Sequence, residues 1–194
     1  CKLASHLDGK RYAEAAREAV AVASGLVDED DDATPGFDFV PSQDIAAQAA
    51  LLAVSSFDRQ QLKSLCVDDA AYKTTLAQRG STAAKDVVEA CYAGDYAKAL
   101  AFIAQLGDEL ALDPVLAPHA STLKEKAVDR LIAQYCKPYK TVDLGRMAAA
   151  FSLEQDALED RVARLVGAGQ LGDLRVDLVD HALRSLHHQN GTQL

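Results

Sequence analysis

The fold is decided by residues 139–183, which are YKTVDLGRMAAAFSLEQDALEDRVARLVGAGQLGDLRVDLVDHAL. This stretch begins with a short extended segment at 139–142, after which residues 144–151 have the pattern of a helix. Asp143 is well placed to cap that helix, because its carboxylate can accept a hydrogen bond from a free amide of the first turn. Ser152 is the predicted cap of the helix that follows.

The second part of this stretch predicts a longer helix and a β-hairpin. Leu158, Val162 and Leu165 recur at helical spacing, and Gly167 and Gly169 end that helix. The next residues predict a β-hairpin of two short strands. The first strand would contain Leu171, Leu174 and Val176, and the second Val179, His181 and Leu183. A short strand, two helices and a hairpin, preceded by a helix, are the element order of a winged helix.

Upstream, the chain is predicted to be almost entirely helical. A long helix begins near Val115 and ends at Pro138, which cannot continue a helix. Residues 9–15 and 94–99 resemble each other, since each has a turn glycine, then an aromatic residue, then an alanine three residues later. Tetratricopeptide-like repeats use this arrangement, and chance recurrence in an alanine-rich chain is the alternative.

The predicted fold class is therefore mainly α, with tetratricopeptide-like helical repeats followed by a winged helix. We expect a helical-repeat subdomain over 1–114 and a winged-helix subdomain with its leading long helix over 115–186. Residues 187–194 are expected to form a tail. Because the chain begins at Cys1 inside a helical pattern, we also expect it to be part of a longer protein.

The charge balance disfavours nucleic acid and anionic membranes as partners. Among 194 residues, 20 Lys and Arg stand against 29 Asp and Glu, which gives a net charge of −9. A phosphate-binding surface needs clustered cations, and no apolar run is long enough to cross a membrane. In the helix at 153–168, the recognition position of a winged helix, four acidic residues accompany two arginines. Binding to protein is therefore the preferred use of this module, and binding to nucleic acid is kept as an alternative.

No residue pattern predicts a metal, a cofactor or a catalytic site. The four cysteines, Cys1, Cys66, Cys91 and Cys136, are far apart, which indicates reduced thiols in the cytosol or nucleus rather than a zinc site or a disulfide framework. Residues 167–172 match G-x-G-x-x-G, but the glycines follow a helix and precede a strand, the reverse of a dinucleotide site. We therefore predict neither an enzyme nor a small-molecule substrate. A hydrolase with scattered carboxylates is the remaining alternative.

Four strings in the second half of the chain are distinctive, namely LAPH at 116–119, YCKPY at 135–139, RMAAAF at 146–151 and ALED at 157–160. In sequence, order and spacing they resemble the PCI-domain family of assembly subunits. This family is shared by the proteasome lid, the COP9 signalosome and translation initiation factor 3. FDRQQL at 57–62, together with RMAAAF, resembles the signalosome branch most, and the proteasome lid is the main alternative.

The resemblance implies a scaffold without an active site, whose winged helix packs beside those of other PCI-containing subunits. In the signalosome, that frame supports removal of the ubiquitin-like protein Nedd8 from cullins by a separate metalloprotease subunit. The implied location is the nucleus and cytoplasm. The implied partner interface comprises Tyr139, Val142, Leu171, Leu174, Arg175 and Val176.

Overall fold

The computed structural model describes residues 2–25, 42–78, 82–172, 174–177 and 180–185. Ten α-helices and three short β-strands lie in these ranges, which confirms the prediction of a mainly α fold. The chain has two compact units, Cys1–Arg130 and Leu131–Leu194. The subdomain boundary predicted after residue 114 stays a prediction, and the predicted tail at 187–194 lies outside the described residues.

The first unit consists of helices. They are α1 (Lys2–Asp8), α2 (Tyr12–Ala23), α3 (Ser42–Ser56), α4 (Arg59–Leu62), a π-helical turn (Lys63–Val67), α5 (Ala70–Ala77), α6 (Ala83–Ala93), α7 (Tyr96–Leu110) and most of α8 (Ala117–Cys136). Helix α3 is its centre, because every residue from 45 to 55 is buried and α2, α5, α6 and α7 pack against it. A helix that is apolar all round can be stable only when neighbours cover every face.

The two similar sequence pieces both form the turn of a helical hairpin. Ala15 and Ala99 are fully buried, as expected for small residues that let paired helices approach closely. The turns themselves differ in detail. Gly94 has the left-handed backbone that glycine favours, whereas in the first hairpin this conformation falls on Lys10 rather than on Gly9.

A side-chain cap and a π-helical turn set the bounds of two short helices in this unit. Helix α5 begins at Ala70, because the Oδ1 atom of Asp69 accepts the hydrogen bond from the Tyr72 amide at 2.9 Å. Helix α4 begins at Arg59 and is α-helical only to Leu62, after which it widens into the π-helical turn.

The second unit has the element order predicted for a winged helix. After the end of α8 come β1 (Thr141–Asp143), α9 (Leu144–Phe151), α10 (Gln155–Gly167), β2 (Leu174–Asp177) and β3 (Ala182–Ser185). Both β1 and β2 pair antiparallel with β3, so the sheet order is β1-β3-β2. The apolar faces of α9, α10 and β3 form the core. Its most buried side chains are Leu144, Met147, Phe151, Leu158, Val162 and Leu183.

The two helix caps predicted here have different outcomes. Asp143 caps α9 as expected, and its Oδ1 atom accepts from the Arg146 amide at 2.8 Å. The prediction that Ser152 caps α10 is wrong. Ser152 has a φ of 53° and ends α9, whereas Glu154 precedes α10 and makes no side-chain cap hydrogen bond. Two residues of turn after Ser152 are needed before the chain can start the next helix.

Cys66, Cys91 and Cys136 are buried and unbridged, and burial raises their pKa values to about 12, 12 and 11. Since the thiolate is the reactive form, we expect iodoacetamide at about pH 8 to leave all three unmodified in the folded protein. In denaturant the same three should be alkylated. Site-resolved mass spectrometry measures this, and modification of Cys66 or Cys91 in the folded protein would contradict it.

Candidate docking edge of the winged-helix unit

Among the residues that the structure describes, the sheet of the second unit has two edge strands, because β3 lies between β1 and β2. On the outer side of an edge strand, backbone amides and carbonyls have no partner within the sheet. Strand β2 pairs from Leu174 opposite Ser185 to Asp177 opposite Ala182. Arg175 is exposed, and Leu174 and Val176 are half-buried, so β2 is an edge that offers both backbone groups and apolar surface.

The six predicted interface residues occupy three different environments. Leu174, Arg175 and Val176 lie on β2, and Tyr139 is 52% exposed in the loop before β1. Val142 and Leu171 are only 3% and 8% exposed, so their side chains pack within this unit instead of facing solvent. Val142 lies opposite Leu183 in the sheet register, so its side chain is on the same face of the sheet as the fully buried Leu183. The participation of all six in an interface stays a prediction.

Three of these residues come together around one cavity of about 590 Å³, which Tyr139, Leu171 and Leu174 help to line. The end of α8 and the loop after it supply further apolar surface from Ala133, Cys136 and Pro138. Two cations, Lys137 and Lys140, complete this side of the cavity, and both are exposed. Neither lysine is among the residues predicted from sequence, although their position on either side of Tyr139 in an acidic chain is a usable signal.

Aromatic packing fixes the wall of this cavity. The ring of Tyr139 lies 5.7 Å from that of Tyr135, and Tyr135 in turn meets the ring of Phe151 edge-on at 5.7 Å. Phe151 is buried at the end of α9, and burial also raises the pKa of Tyr135. The chain of contacts therefore holds the exposed Tyr139 ring against the core.

The turn between β2 and β3 is tied to α10. The Nδ1 atom of His181 lies 2.8 Å from the Oε1 atom of Glu159, and Gln155 donates to the same oxygen at 2.7 Å. These two hydrogen bonds lower the pKa of Glu159. On β3, Arg184 forms ion pairs with Asp177 and Asp180. Side-chain hydrogen bonds and ion pairs therefore hold the hairpin in place, in addition to the backbone pairing of β2 with β3.

Changing Glu159 to Gln should make the stability of this unit less dependent on pH. The lowered pKa means that the carboxylate stabilises the fold above its ordinary pKa of 4.5, and that this contribution is lost as the pH falls through the lowered value. We expect a loss below about 1 kcal/mol, since solvent screens surface pairs. Urea denaturation between about pH 3 and pH 7 measures it. Glu154→Gln is the control, and a loss as large at pH 3 as at pH 7 would contradict the prediction.

Helix α10 occupies the position in which many winged helices read DNA. Helix α10 and the residue before it, Glu154, together contain four acidic residues and two arginines. The acidic residues are Glu154, Asp156, Glu159 and Asp160. A phosphate backbone would meet a net negative helix, so this surface is poorly suited to nucleic acid.

The glycine motif at 167–172 is a helix end followed by a turn. Helix α10 ends at Gly167, β2 begins at Leu174, and Gly169 and Gly172 have positive φ angles. Its amides do not open a helix, as a dinucleotide site requires. Within the described ranges no three metal-ligating side chains converge. No helix in the described part of the chain is long and apolar enough to cross a membrane.

The family model of the PCI domain matches residues 103–180. COP9 signalosome complex subunit 1b of Drosophila melanogaster is 31% identical over 140 residues, 72% of this chain and 26% of the relative. COP9 signalosome complex subunit 1 of Arabidopsis thaliana is 30% identical over 183 residues, 94% of this chain and 40% of the relative. A weaker relative, 26S proteasome non-ATPase regulatory subunit 6 of Dictyostelium discoideum, is 24% identical over 128 residues, 66% of this chain and 33% of the relative.

The chain thus spans 26% and 40% of the length of the two signalosome relatives. The matched PCI region runs from within α7 through α8, β1, α9, α10 and β2, and therefore includes the edge strand and the cavity described above. Sequence strings, element order and the family model agree. The chain belongs to the PCI-domain family.

Proposed function

We propose that this chain is a non-catalytic scaffold subunit of the COP9 signalosome and that its winged-helix unit docks onto other PCI-containing subunits. The observation that supports docking most strongly is the edge strand β2, which borders a cavity lined by apolar side chains and two lysines. Likeness at 30% to 31% identity to signalosome subunit 1 favours the signalosome over other assemblies of this family.

The physical basis of docking is completion of the sheet. A partner strand placed beside β2 satisfies its outer amides and carbonyls, while Leu174 and Tyr139 offer apolar surface for specific contacts. Such a subunit would position its neighbours, and a different subunit would catalyse the reaction. In the proposed role, it supports cullin deneddylation by a separate metalloprotease subunit in the nucleus and cytoplasm.

A lid subunit of the 26S proteasome is the second candidate. It is favoured by the 24% identity to proteasome regulatory subunit 6, which covers 66% of this chain. A nucleic-acid-binding winged helix is a weaker candidate, because α10 and Glu154 together are net negative.

Affinity purification of the tagged protein from its own cells, followed by mass spectrometry, tests the assignment. We expect the other signalosome subunits to be recovered in similar amounts. Recovery of proteasome lid subunits in their place would overturn the assignment and favour the second candidate. Salt-sensitive retention on duplex DNA, without either set of subunits, would favour nucleic-acid binding.

A further inference from the structure

We propose that the cavity beside β2 receives an acidic segment of a partner protein. One apolar side chain of that segment occupies the cavity, and its flanking carboxylates pair with Lys137 and Lys140. The inference deepens the proposed docking function and rests on it, because it names the chemistry of the segment that this edge recognises.

Charge is the first reason to expect an acidic segment. The chain as a whole carries a net charge of −9, yet the described residues that line this cavity include two lysines and no carboxylate. Neither Lys137 nor Lys140 forms a side-chain ion pair within the described ranges, and both are exposed. The two ammonium groups therefore form a local site for carboxylates on a chain whose net charge is negative.

The apolar lining is the second reason, because it requires more than an anion. Leu171, Leu174 and Pro138 present hydrocarbon to the cavity, and the exposed ring of Tyr139 forms one wall. That ring is held by its contact with Tyr135, so the wall exists before a partner arrives. A small inorganic anion would pair with the two lysines and leave the apolar lining exposed to solvent. An apolar side chain flanked by acidic residues would cover the apolar lining and pair with the lysines as well.

Continuity with β2 is the third reason, and it favours a polypeptide over a small molecule. Leu174 lines the cavity and is also the first residue of β2. A strand that pairs along β2 advances about 3.3 Å per residue, so its next one or two residues reach the cavity. Backbone pairing then supplies affinity, and the cavity selects the side chain.

Fluorescence polarisation with the labelled peptide EDELFEDE tests the inference on the whole chain. We expect saturable binding that weakens as salt rises from roughly 50 mM to 300 mM. Two control peptides separate the contributions, because EDESSEDE lacks the apolar pair and KKKLFKKK reverses the charge. Each should bind about tenfold more weakly or worse.

Charge reversal of the protein completes the test. The double variant Lys137→Glu/Lys140→Glu should lose binding of EDELFEDE about tenfold or more. The matched control is Lys85→Glu/Lys98→Glu, which makes the same charge change on exposed lysines of the first unit and should retain most of the affinity.

Four results would overturn the inference. They are absence of peptide binding at about 1 mM, equal binding of EDELFEDE and EDESSEDE, equal loss in both double variants, and displacement of the peptide by millimolar inorganic phosphate. Because the assay needs no other subunit, its failure is separate from that of the proposed function, which the affinity purification tests.

Discussion

Replacing Phe151 with alanine is expected to lower the free energy of unfolding by about 3–5 kcal/mol. Phe151 ends α9 with only 1% of its surface exposed, and its ring contacts the edge of Tyr135. Truncation removes apolar burial and leaves a void that the packed neighbours fill only partly. The substitution should also loosen the wall of the docking cavity, since Tyr139 packs on Tyr135. Urea denaturation followed by circular dichroism measures the loss.

Phe102→Ala is the matched control, because the same side chain is removed from a half-buried position on α7. Its effect should be clearly smaller, since less surface leaves water on folding. A loss below about 1 kcal/mol for Phe151→Ala would show that this ring does not anchor the core of the winged-helix unit.

Replacing Leu174 with aspartate is expected to weaken binding to neighbouring PCI subunits about tenfold or more while the protein stays folded. Leu174 is half-buried on the edge strand and lines the cavity, so a partner that covers it would have to bury a new carboxylate. The aspartate would also repel an acidic segment. Biolayer interferometry against the purified neighbouring subunits measures the change.

Leu112→Asp is the control for this substitution, since Leu112 is 88% exposed and lies in the first unit. It should retain the wild-type affinity and the wild-type circular dichroism spectrum. If Leu174→Asp unfolds the protein instead, Leu174 belongs to the core. If the variant is folded and binds normally, the β2 edge is not the docking surface.

Local chemistry made much of the winged-helix unit predictable from sequence. Asp143 lies one residue before an apolar helical pattern and was correctly identified as its cap. The glycines at 167–172 are correctly predicted to end a helix, because they follow the helical pattern and precede the strand in the sequence. Both features depend only on residues that are close together in the sequence.

Features that depend on a single-residue offset or on distant segments were not predictable. Ser152 has the chemistry of a cap, but the chain turns through a left-handed conformation there and starts α10 later. The burial of Val142 depends on the sheet face that it shares with Leu183, which is distant in sequence. The cavity requires residues from 133–140, 170–172 and β2 at once. No local sequence pattern shows that these segments lie together. Only three of the lining residues, Tyr139, Leu171 and Leu174, are therefore among the residues predicted from sequence.

The central claim is that this chain joins its assembly through the outer edge of β2, and hydrogen–deuterium exchange of its amides tests it most directly. In the free protein, the amides of Leu174–Asp177 that point away from β3 should exchange quickly, because no other strand in the described part of the chain pairs with them. In the assembled complex we predict that they become protected. Unchanged exchange in β2, with new protection confined to α10, would contradict the account.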